Sequence, residues 1–344
     1  MAAGDLMAAE MAEQPAVLRA VLEQRRAVSD LLGPLRAADL DGVVVLARGS
    51  SDHAAIYGRY VLELATGRPV ALAAPSLHTR YGAHTDYRGY LAVAISQSGR
   101  TPEIVDVLGA MGRAGARTVA LTEDPHSPLA ATADACVELR AGVEFAVPAT
   151  KTFTAQLAAM ALVAEGLGPV PWSPDELDAL PDELQRLLDD PDPIRPAIDL
   201  LYGAQGVVHV GRGFLYAAAL EGALKMKETT GLLSEGYSAA DFLHGPVAVA
   251  GSGLVVVAYA TPGPVLADVA AVAAATAARQ AAVVAIAPET LPGARIHLPV
   301  GRTSEALSPL LHAVRTQQLS YVLARARGMN PDKPFGLSKV TETT

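Results

Sequence analysis

Two groups of side chains in this sequence have the types and spacing needed for chemistry on an anionic substrate. Three hydroxyl-rich breaks, "RGSSDH" (48–53), "SQSGRT" (96–101) and "PATKTF" (148–153), fall in the first half, each before a helical segment. Amide N–H groups at a helix start lack intrahelical partners and favour negative charge. With the added hydroxyls, and with Gly99 allowing close backbone approach, these breaks predict a cradle for phosphate.

The second half carries its ionisable groups on a helix instead of in a loop. In "EGALKMKETT" (221–230), Lys225 and Glu228 lie three residues apart and therefore share one helix face. Apolar neighbours indicate that this helix is largely buried, and a buried carboxylate beside a lysine is a tunable general base. For Glu221 and Lys227, an ordinary ion-paired, solvated face is the favoured interpretation.

These features also have purely structural interpretations. Thr101 can cap a helix that begins with Pro102, while Ser96 and Ser98 bond the loop backbone. His244 precedes Gly-Pro, a turn signal at which histidine more often caps or hydrogen-bonds than catalyses. The recurrence of the hydroxyl-rich breaks favours the binding interpretation, because the equivalent second-half segment "GRGFLYA" carries no such hydroxyls.

Short apolar runs alternate with helical segments, and these elements must position the side chains. Near-continuous apolar strands between helices predict an α/β fold with parallel sheets covered on both faces. Segment 206–228 can be laid on 42–64, which predicts two copies of one doubly wound, flavodoxin-like unit. Ligands of such sheets bind beyond the carboxyl ends of the strands. The predicted strands are 42–47, 69–74, 90–95, 117–122, 135–139, 254–260 and 281–287, with one more at the start of 206–228.

The predicted organisation has five parts, divided by a Pro- and Asp-rich connector. Within this connector, Ser173 can be the N-cap of a helix that begins with Pro174. The C-terminal tail is rich in turn formers, and its own residues indicate an exposed Lys339. The parts are an N-terminal helical segment (1–36), a first domain (37–166), the connector (167–198), a second domain (199–328) and the tail (329–344).

Composition excludes several classes of function. The formal net charge of -9 argues against nucleic acid or an anionic membrane as the partner. The single cysteine, Cys136, leaves no internal disulfide and fits a reducing compartment. There is no apolar run long enough to span a membrane and no basic secretory leader, so we expect a soluble cytoplasmic protein. The histidines lack metal-ligand spacing, and we expect neither a metal nor a cofactor.

Six motifs taken together resemble those of the SIS (sugar isomerase) family of phosphosugar proteins. They are "RGSSDHA", "ISQSGRTPE", "ATKTFTAQ", "EGALKMKE", "DFLHGP" and "NPDKPFGLSKVT". The resemblance covers the chain from about residue 40 to its end. It is strongest to the stand-alone glucosamine-6-phosphate deaminases and extends to the isomerase half of glucosamine-6-phosphate synthases. It implies two SIS domains in tandem, an amino-sugar 6-phosphate substrate and a homodimer.

Carried over residue by residue, the resemblance implies two sets of roles. Glu228 would move a proton between C1 and C2 of the sugar, and Lys225 would stabilise the developing enediolate or enamine charge. His244 would assist ring opening from across the dimer interface. Lys339 would enter from a tail that closes the active site, including as a Schiff base with the keto sugar. The implied substrate-binding residues are Gly49, Ser50, Ser51, Ser96, Gln97, Ser98, Thr101, Val147, Ala149 and Ser338.

Departures from the family pattern narrow the expected reaction. The sequence shows no glutaminase domain with its catalytic cysteine, and Arg100 stands where synthases carry an acidic residue. Both favour a deaminase that gives fructose 6-phosphate and ammonia. Ala149 replaces a serine and Leu243 a lysine of the synthases. Two alternatives to the deaminase also stay open, and for the first an N-acetyl group could fill the space left at Ala149. One is a lyase or dehydratase that eliminates the C3 substituent of an N-acetylamino-sugar 6-phosphate after C2 proton abstraction, and the other is a non-catalytic phosphosugar sensor.

Overall fold

The computed structural model describes residues 2–35 and 40–339. It divides into two compact units, each built around one sheet. The first-sheet unit comprises Ala16–Glu144 and Lys151–Ser173, and the second-sheet unit comprises residues 2–15, Phe145–Thr150 and Pro174–Lys339. The boundary predicted at 36/37 and the tail beyond Lys339 lie outside the described residues. The five predicted parts of the chain stay predictions.

Five parallel strands form the sheet of the first-sheet unit, in the order β2-β1-β3-β4-β5. Their side chains are mostly Val, Leu, Ile and Ala, and those of the central strands β1 and β3 are almost wholly buried. This agrees with the near-continuous apolar runs of a sheet covered on both faces. The strands are β1 Gly42–Leu46, β2 Val70–Leu72, β3 Tyr90–Ile95, β4 Arg117–Thr122 and β5 Ala135–Glu138.

The sheet of the second-sheet unit repeats this topology, in the order β7-β6-β8-β9-β10. Counted within each sheet, both orders are 2-1-3-4-5, so the prediction of two flavodoxin-like sheets is confirmed. The prediction missed β7 ("SEGYS") and β10 ("IHLP"), which are edge strands with one neighbour each and lack an apolar run. The strands are β6 Gly206–Gly211, β7 Ser234–Ser238, β8 Leu254–Tyr259, β9 Ala282–Ala287 and β10 Ile296–Pro299.

Helices cover these strands and place the sites that follow. None of the described helices is long and apolar enough to cross a membrane. In chain order they are α1 Asp5–Ala12, α2 Gln14–Leu22, α3 Arg25–Leu32, α4 Ser50–Thr66, α5 Pro75–Thr79, α6 Pro102–Arg113, α7 Pro128–Thr132, α8 Lys151–Leu167, α9 Pro174–Asp189, α10 Arg195–Tyr202, α11 Leu215–Thr230, α12 Ala239–Leu243, α13 Leu266–Ala278 and α14 Ser308–Ala326, with 3₁₀ turns at Gly33–Leu35, Asp192–Ile194 and Pro246–Val249.

Candidate functional site

The loop after β3, residues 96–101, is named the hydroxyl loop. Ser96 is 6% exposed, and its Oγ lies 3.4 Å from Oγ1 of Thr101. Thr101 occupies the N-cap position of α6, with Pro102 as the first helical residue, as the structural interpretation expected. Its hydroxyl makes no capping hydrogen bond, however. Helix capping therefore does not explain why hydroxyls stand at these positions.

The rest of the hydroxyl loop is held against the end of β4. Its glycine, Gly99, has a φ of +61°, and a Cβ there would lie 2.6 Å from Thr122 Oγ1 and overlap the Ser127 side chain. The Ser98 Oγ accepts a hydrogen bond of 3.2 Å from the Arg100 amide, as the structural interpretation predicted for this serine. The Arg100 guanidinium donates to Asp124 Oδ2 at 2.8 Å. The conformation of the loop is thus fixed by Gly99 and by the hydrogen bonds of Ser98 and Arg100.

A bidentate ion pair joins the loop after β1 to the helix that follows the hydroxyl loop. Arg48 donates from Nε and Nη2 to the Glu103 carboxylate at 2.8 and 3.1 Å. The hydrogen bond to the carboxylate raises the pKa of Arg48. Next to it, Gly49 has a φ of +62° at the start of α4, and Ser50 and Ser51 form the first turn of that helix. The loops after the two switch-point strands β1 and β3 therefore lie side by side.

Ser51 is oriented by a buried amide that the sequence interpretation did not single out. Gln156, on α8, is 2% exposed, and its Nε2 donates to Ser51 Oγ at 2.9 Å. A hydroxyl oxygen that accepts one hydrogen bond can still donate its own hydrogen to another acceptor. Gln156 stands in the motif "ATKTFTAQ", three helical positions after Phe153, but a glutamine in an apolar helix gives no signal of its partner.

On α11 in the second-sheet unit, Lys225 lies between two carboxylates. Its Nζ is 2.5 Å from Glu228 Oε2 and 3.4 Å from Glu221 Oε1, and the lysine is 0% exposed. The Glu228 side chain is 20% exposed as a whole, whereas its Oε2, which faces Lys225, is buried. The solvated-face interpretation is confirmed for Lys227 but wrong for Glu221, which is 1% exposed. Glu221 instead balances the charge of Lys225 from the inner side.

A buried polar network lies against the inner face of α11. Thr316 Oγ1 donates to the Tyr259 hydroxyl at 2.9 Å, and that hydroxyl lies 2.7 Å from His209 Nδ1. Burial lowers the pKa of His209 to about 3, so the imidazole is neutral and can accept the hydrogen of Tyr259. Gly222 makes this approach possible, because a Cβ there would overlap the Tyr259 hydroxyl and lie 2.7 Å from His209 Nδ1.

The tail lysine contacts a separate segment of the chain, residues 145–149, which holds two of the implied sugar-lining residues. Lys339 is half-buried, and its Nζ donates to the Ala146 carbonyl at 2.7 Å. Val147 donates its amide to the Asp332 carbonyl at 2.9 Å, and Ala149 follows, partly exposed. The structure therefore brings Lys339 to the segment that carries Val147 and Ala149. The remaining implied tail residue, Ser338, is exposed.

His244 belongs to the second-sheet unit and stands at the end of the short helix α12. It follows the last residue of α12 and is exposed. Two apolar side chains beside it are also exposed, Leu243 by 41% and Val249 by 60%. Within the described part of the chain, no group of three or more His, Cys, Asp or Glu residues could hold a metal ion.

Comparison with known proteins gives consistent matches over both halves. The family model for the SIS domain matches residues 38–166 and 200–324. Glutamine–fructose-6-phosphate aminotransferase (isomerizing) of Gloeobacter violaceus is 36% identical over 97% of this chain, which spans 58% of the aminotransferase. A solved chain from Silicibacter pomeroyi, provisionally named a phosphosugar isomerase, is 35% identical with a TM-score of 0.82, covering 95% of this chain and 99% of that one. Glucosamine-6-phosphate deaminase of Thermotoga maritima shares the fold, with a TM-score of 0.74 at 23% identity over 95% of this chain and 99% of that one.

Proposed function

Because the chain belongs to the SIS domain family, we propose that it deaminates an amino-sugar 6-phosphate to a ketose 6-phosphate and ammonia. The observation that carries this proposal is the 2.5 Å pair of Glu228, partly exposed, and Lys225, fully buried. A carboxylate on a partly exposed side chain next to a buried cation suits proton abstraction beside a carbonyl. The negative charge that develops on the sugar then has a preorganised positive partner.

The proposed reaction balances with these groups. In the open-chain aldose, Glu228 takes the C2 proton, the electron pair moves onto the C1 oxygen, and Lys225 donates a proton to that oxygen, which gives an enaminol. Glu228 then returns its proton to C1, which leaves an iminium at C2. Water adds to C2 and gives up a proton to Lys225, and the C2–N bond breaks to release ammonia, so that the 2-ketose 6-phosphate remains. Lys339 can bind the keto product through its amine.

The phosphate is proposed to bind at the loops after β1 and β3. Ser96 and Thr101 present hydroxyls that capping does not use, and Ser51 accepts from Gln156 and so keeps its own hydrogen for an anion. The N-termini of α4 and α6 add backbone amides and a favourable dipole. Gly49, Ser50, Gln97 and Ser98 complete the proposed phosphate set, while Val147, Ala149 and Ser338 are proposed to line the sugar.

The protein is proposed to act as a homodimer in which His244 serves the partner subunit's substrate. The exposure of His244 and of two apolar side chains near it in the chain, Leu243 and Val249, supports an interface at this surface. An imidazole there can carry the proton for opening the sugar ring.

Incubation with glucosamine 6-phosphate tests the reaction. We expect ammonia and fructose 6-phosphate in equal amounts, measured by coupled enzymatic assays. An unsaturated sugar from the N-acetylated substrate would instead support the lyase. Binding of either compound without turnover, measured by calorimetry, would support a sensor.

The phosphate assignment has its own test with a matched control. Ser96→Ala should raise KM for glucosamine 6-phosphate by roughly 10- to 100-fold, since a hydrogen bond to a charged group contributes about 1.5–3 kcal/mol. Thr261→Ala is the control, because Thr261 stands in the equivalent loop after β8. Equal KM values for the two variants would remove the hydroxyl loop from phosphate binding.

A further inference from the structure

We propose that Asp332 is a positioning residue, which fixes Lys339 and the segment 145–149 by clasping the N-terminal helix α1. The inference rests on the proposed function, because it assumes that Lys339, Val147 and Ala149 serve the substrate. The contacts that carry it all lie within the second-sheet unit. Asp332 and its partner in this arrangement, Glu10, are together named the tail clasp.

The Asp332 carboxylate supplies the N-terminal cap that α1 lacks. Gly4 holds the N-cap position with a φ of +91° and has no side chain to cap with. Asp332 Oδ2 accepts from the Gly4 amide at 2.9 Å, and Oδ1 accepts from the Met7 amide at 2.9 Å. Asp332 is 5% exposed, so these charge-assisted bonds form in a site that water does not screen. The helix dipole adds to the attraction for the carboxylate.

The same residue joins this helix to the substrate segment through its backbone. The Asp332 carbonyl accepts from the Val147 amide at 2.9 Å, while its own amide donates to Asn330 Oδ1 at 3.0 Å. Asp332 therefore holds α1 through its side chain and the segment that contains Val147 through its main chain. Lys339 follows seven residues later, so the position of Asp332 limits where this lysine can lie.

Glu10 holds the other side of the segment. Glu10, on α1, is 3% exposed, and its carboxylate accepts hydrogen bonds from the Phe145 and Ala146 amides. The Ala146 carbonyl accepts from Lys339 Nζ at 2.7 Å. One residue of the segment is thus bonded to Glu10 through its N–H and to Lys339 through its C=O, which places the lysine relative to α1.

Apolar packing completes the arrangement. Met7 and Met11 of α1 pack against Ala146 in one small buried cluster, with Leu188 and Tyr321 at its edge. These apolar contacts fill the space between α1 and the segment 145–149, but they do not fix the orientation of any group. The directional contacts are those of the two carboxylates, and a misplacement of about 1 Å at a catalytic group can reduce the rate roughly 100-fold.

The test uses Asp332→Asn in the full chain, with Asp192→Asn as the matched control. Asp192 belongs to the same unit, and its side chain is 83% exposed. We expect kcat for the proposed deamination to fall roughly 10- to 100-fold in Asp332→Asn. KM should change less than about twofold, because the proposed phosphate contacts are on other segments. A loss of folded protein would also lower the apparent kcat at constant KM, so kcat is expressed per folded protein, measured by circular dichroism and urea unfolding.

Hydrogen exchange gives a readout that needs no turnover. In Asp332→Asn, exchange at the Met7 and Val147 amides should accelerate at least about 10-fold, while the amides of β8 stay protected as in the parent protein. Glu10→Gln should accelerate the same segment, and the double variant should show less than the product of the two effects. Unchanged exchange at Val147 would overturn the tail clasp. If Asp332→Asn shows the accelerated exchange but the parent protein releases no ammonia, the tail clasp stands and only the proposed reaction is overturned.

Discussion

The first strand and the helix after it follow the same course in the two sheets, but the side chains proposed to bind phosphate and to move the proton differ. With 42–64 laid on 206–228, Ser51 corresponds to Leu215, whereas Lys225 corresponds to Val61. The first copy therefore has hydroxyls at the loop and apolar residues, Val61 and Leu64, where the second copy has Lys225 and Glu228. The second copy has an apolar loop and charges on the helix. One fold thus offers two places for chemistry, the helix start for an anion and the helix body for a buried base and cation.

The strands behind the two helices also differ in polarity, and the second sheet is again the one with the polar side chains. His209 of β6 corresponds to Val45 of β1, and Tyr259 of β8 corresponds to Ile95 of β3 by the strand register. The second sheet therefore holds a hydrogen-bonded polar network where the first sheet holds hydrocarbon. The directional hydrogen bonds of a buried network favour one arrangement of its members, while an apolar core tolerates small shifts. We infer that the network holds α11, and with it Glu228, in one register.

The largest effect is expected at the position where the two helices differ most. Glu228→Gln should lower turnover about 10²- to 10⁴-fold, because the amide cannot take the C2 proton. Binding of glucosamine 6-phosphate, measured by calorimetry, should be retained. Leu64→Gln makes the same amide at the equivalent position of α4, where Leu64 is 56% exposed, and should leave turnover unchanged. Unchanged turnover in Glu228→Gln would remove this residue from the mechanism.

Two equivalent glycines test how rigidly each helix is seated. Gly222→Ala should destabilise the protein by about 1–3 kcal/mol, because the new methyl meets the Tyr259–His209 pair, whose positions are fixed by hydrogen bonds. Gly58→Ala meets only the terminal methyl of Met160, a flexible side chain that can move aside.

The stability of Gly58→Ala should therefore stay the same or rise by up to about 1 kcal/mol, since alanine favours the helix. Urea unfolding of both variants, with the midpoint and the slope compared, measures the difference. Equal losses in the two variants would contradict a special role for the network.

The smallest expected effect is a pH dependence that only the second sheet contributes. The pKa of His209 is lowered to about 3, below its unfolded value near 6.5, so its contribution to stability is full above about pH 6.5. It declines as the pH falls toward 3, by at most about 1.4 kcal/mol per pH unit.

Between pH 6.5 and 5.5 the parent protein should lose about 1 kcal/mol from this source. His209→Val, which restores the residue of the first sheet, should lack this part of the slope in urea unfolding. The pKa of His312 is also lowered by burial, but this residue is present in both proteins and cancels in the difference. Identical slopes would show that His209 is not buried as a neutral group.

Much of the fold could be predicted from the sequence because parallel strands buried on both faces leave an apolar run. The edge strands β7 and β10 could not, since "SEGYS" and "IHLP" carry too few apolar residues. Around the candidate site, the hydroxyl loop and the Lys225–Glu228 pair follow from local spacing. The burial of Glu221 does not, because the same i,i+4 spacing occurs on solvated helices.

By itself, the sequence determined two repeated sheets, the loops at their carboxyl ends and the helix that carries the base and the cation. Each of these depends on residues close together in the chain. Only the tertiary structure decided that Gln156 orients Ser51 and that Asp332 caps a helix 328 residues away. A buried carboxylate or amide must find a hydrogen-bond partner in place of water. Tertiary packing decides which group that partner is, and packing between distant segments leaves no periodicity or motif in the sequence.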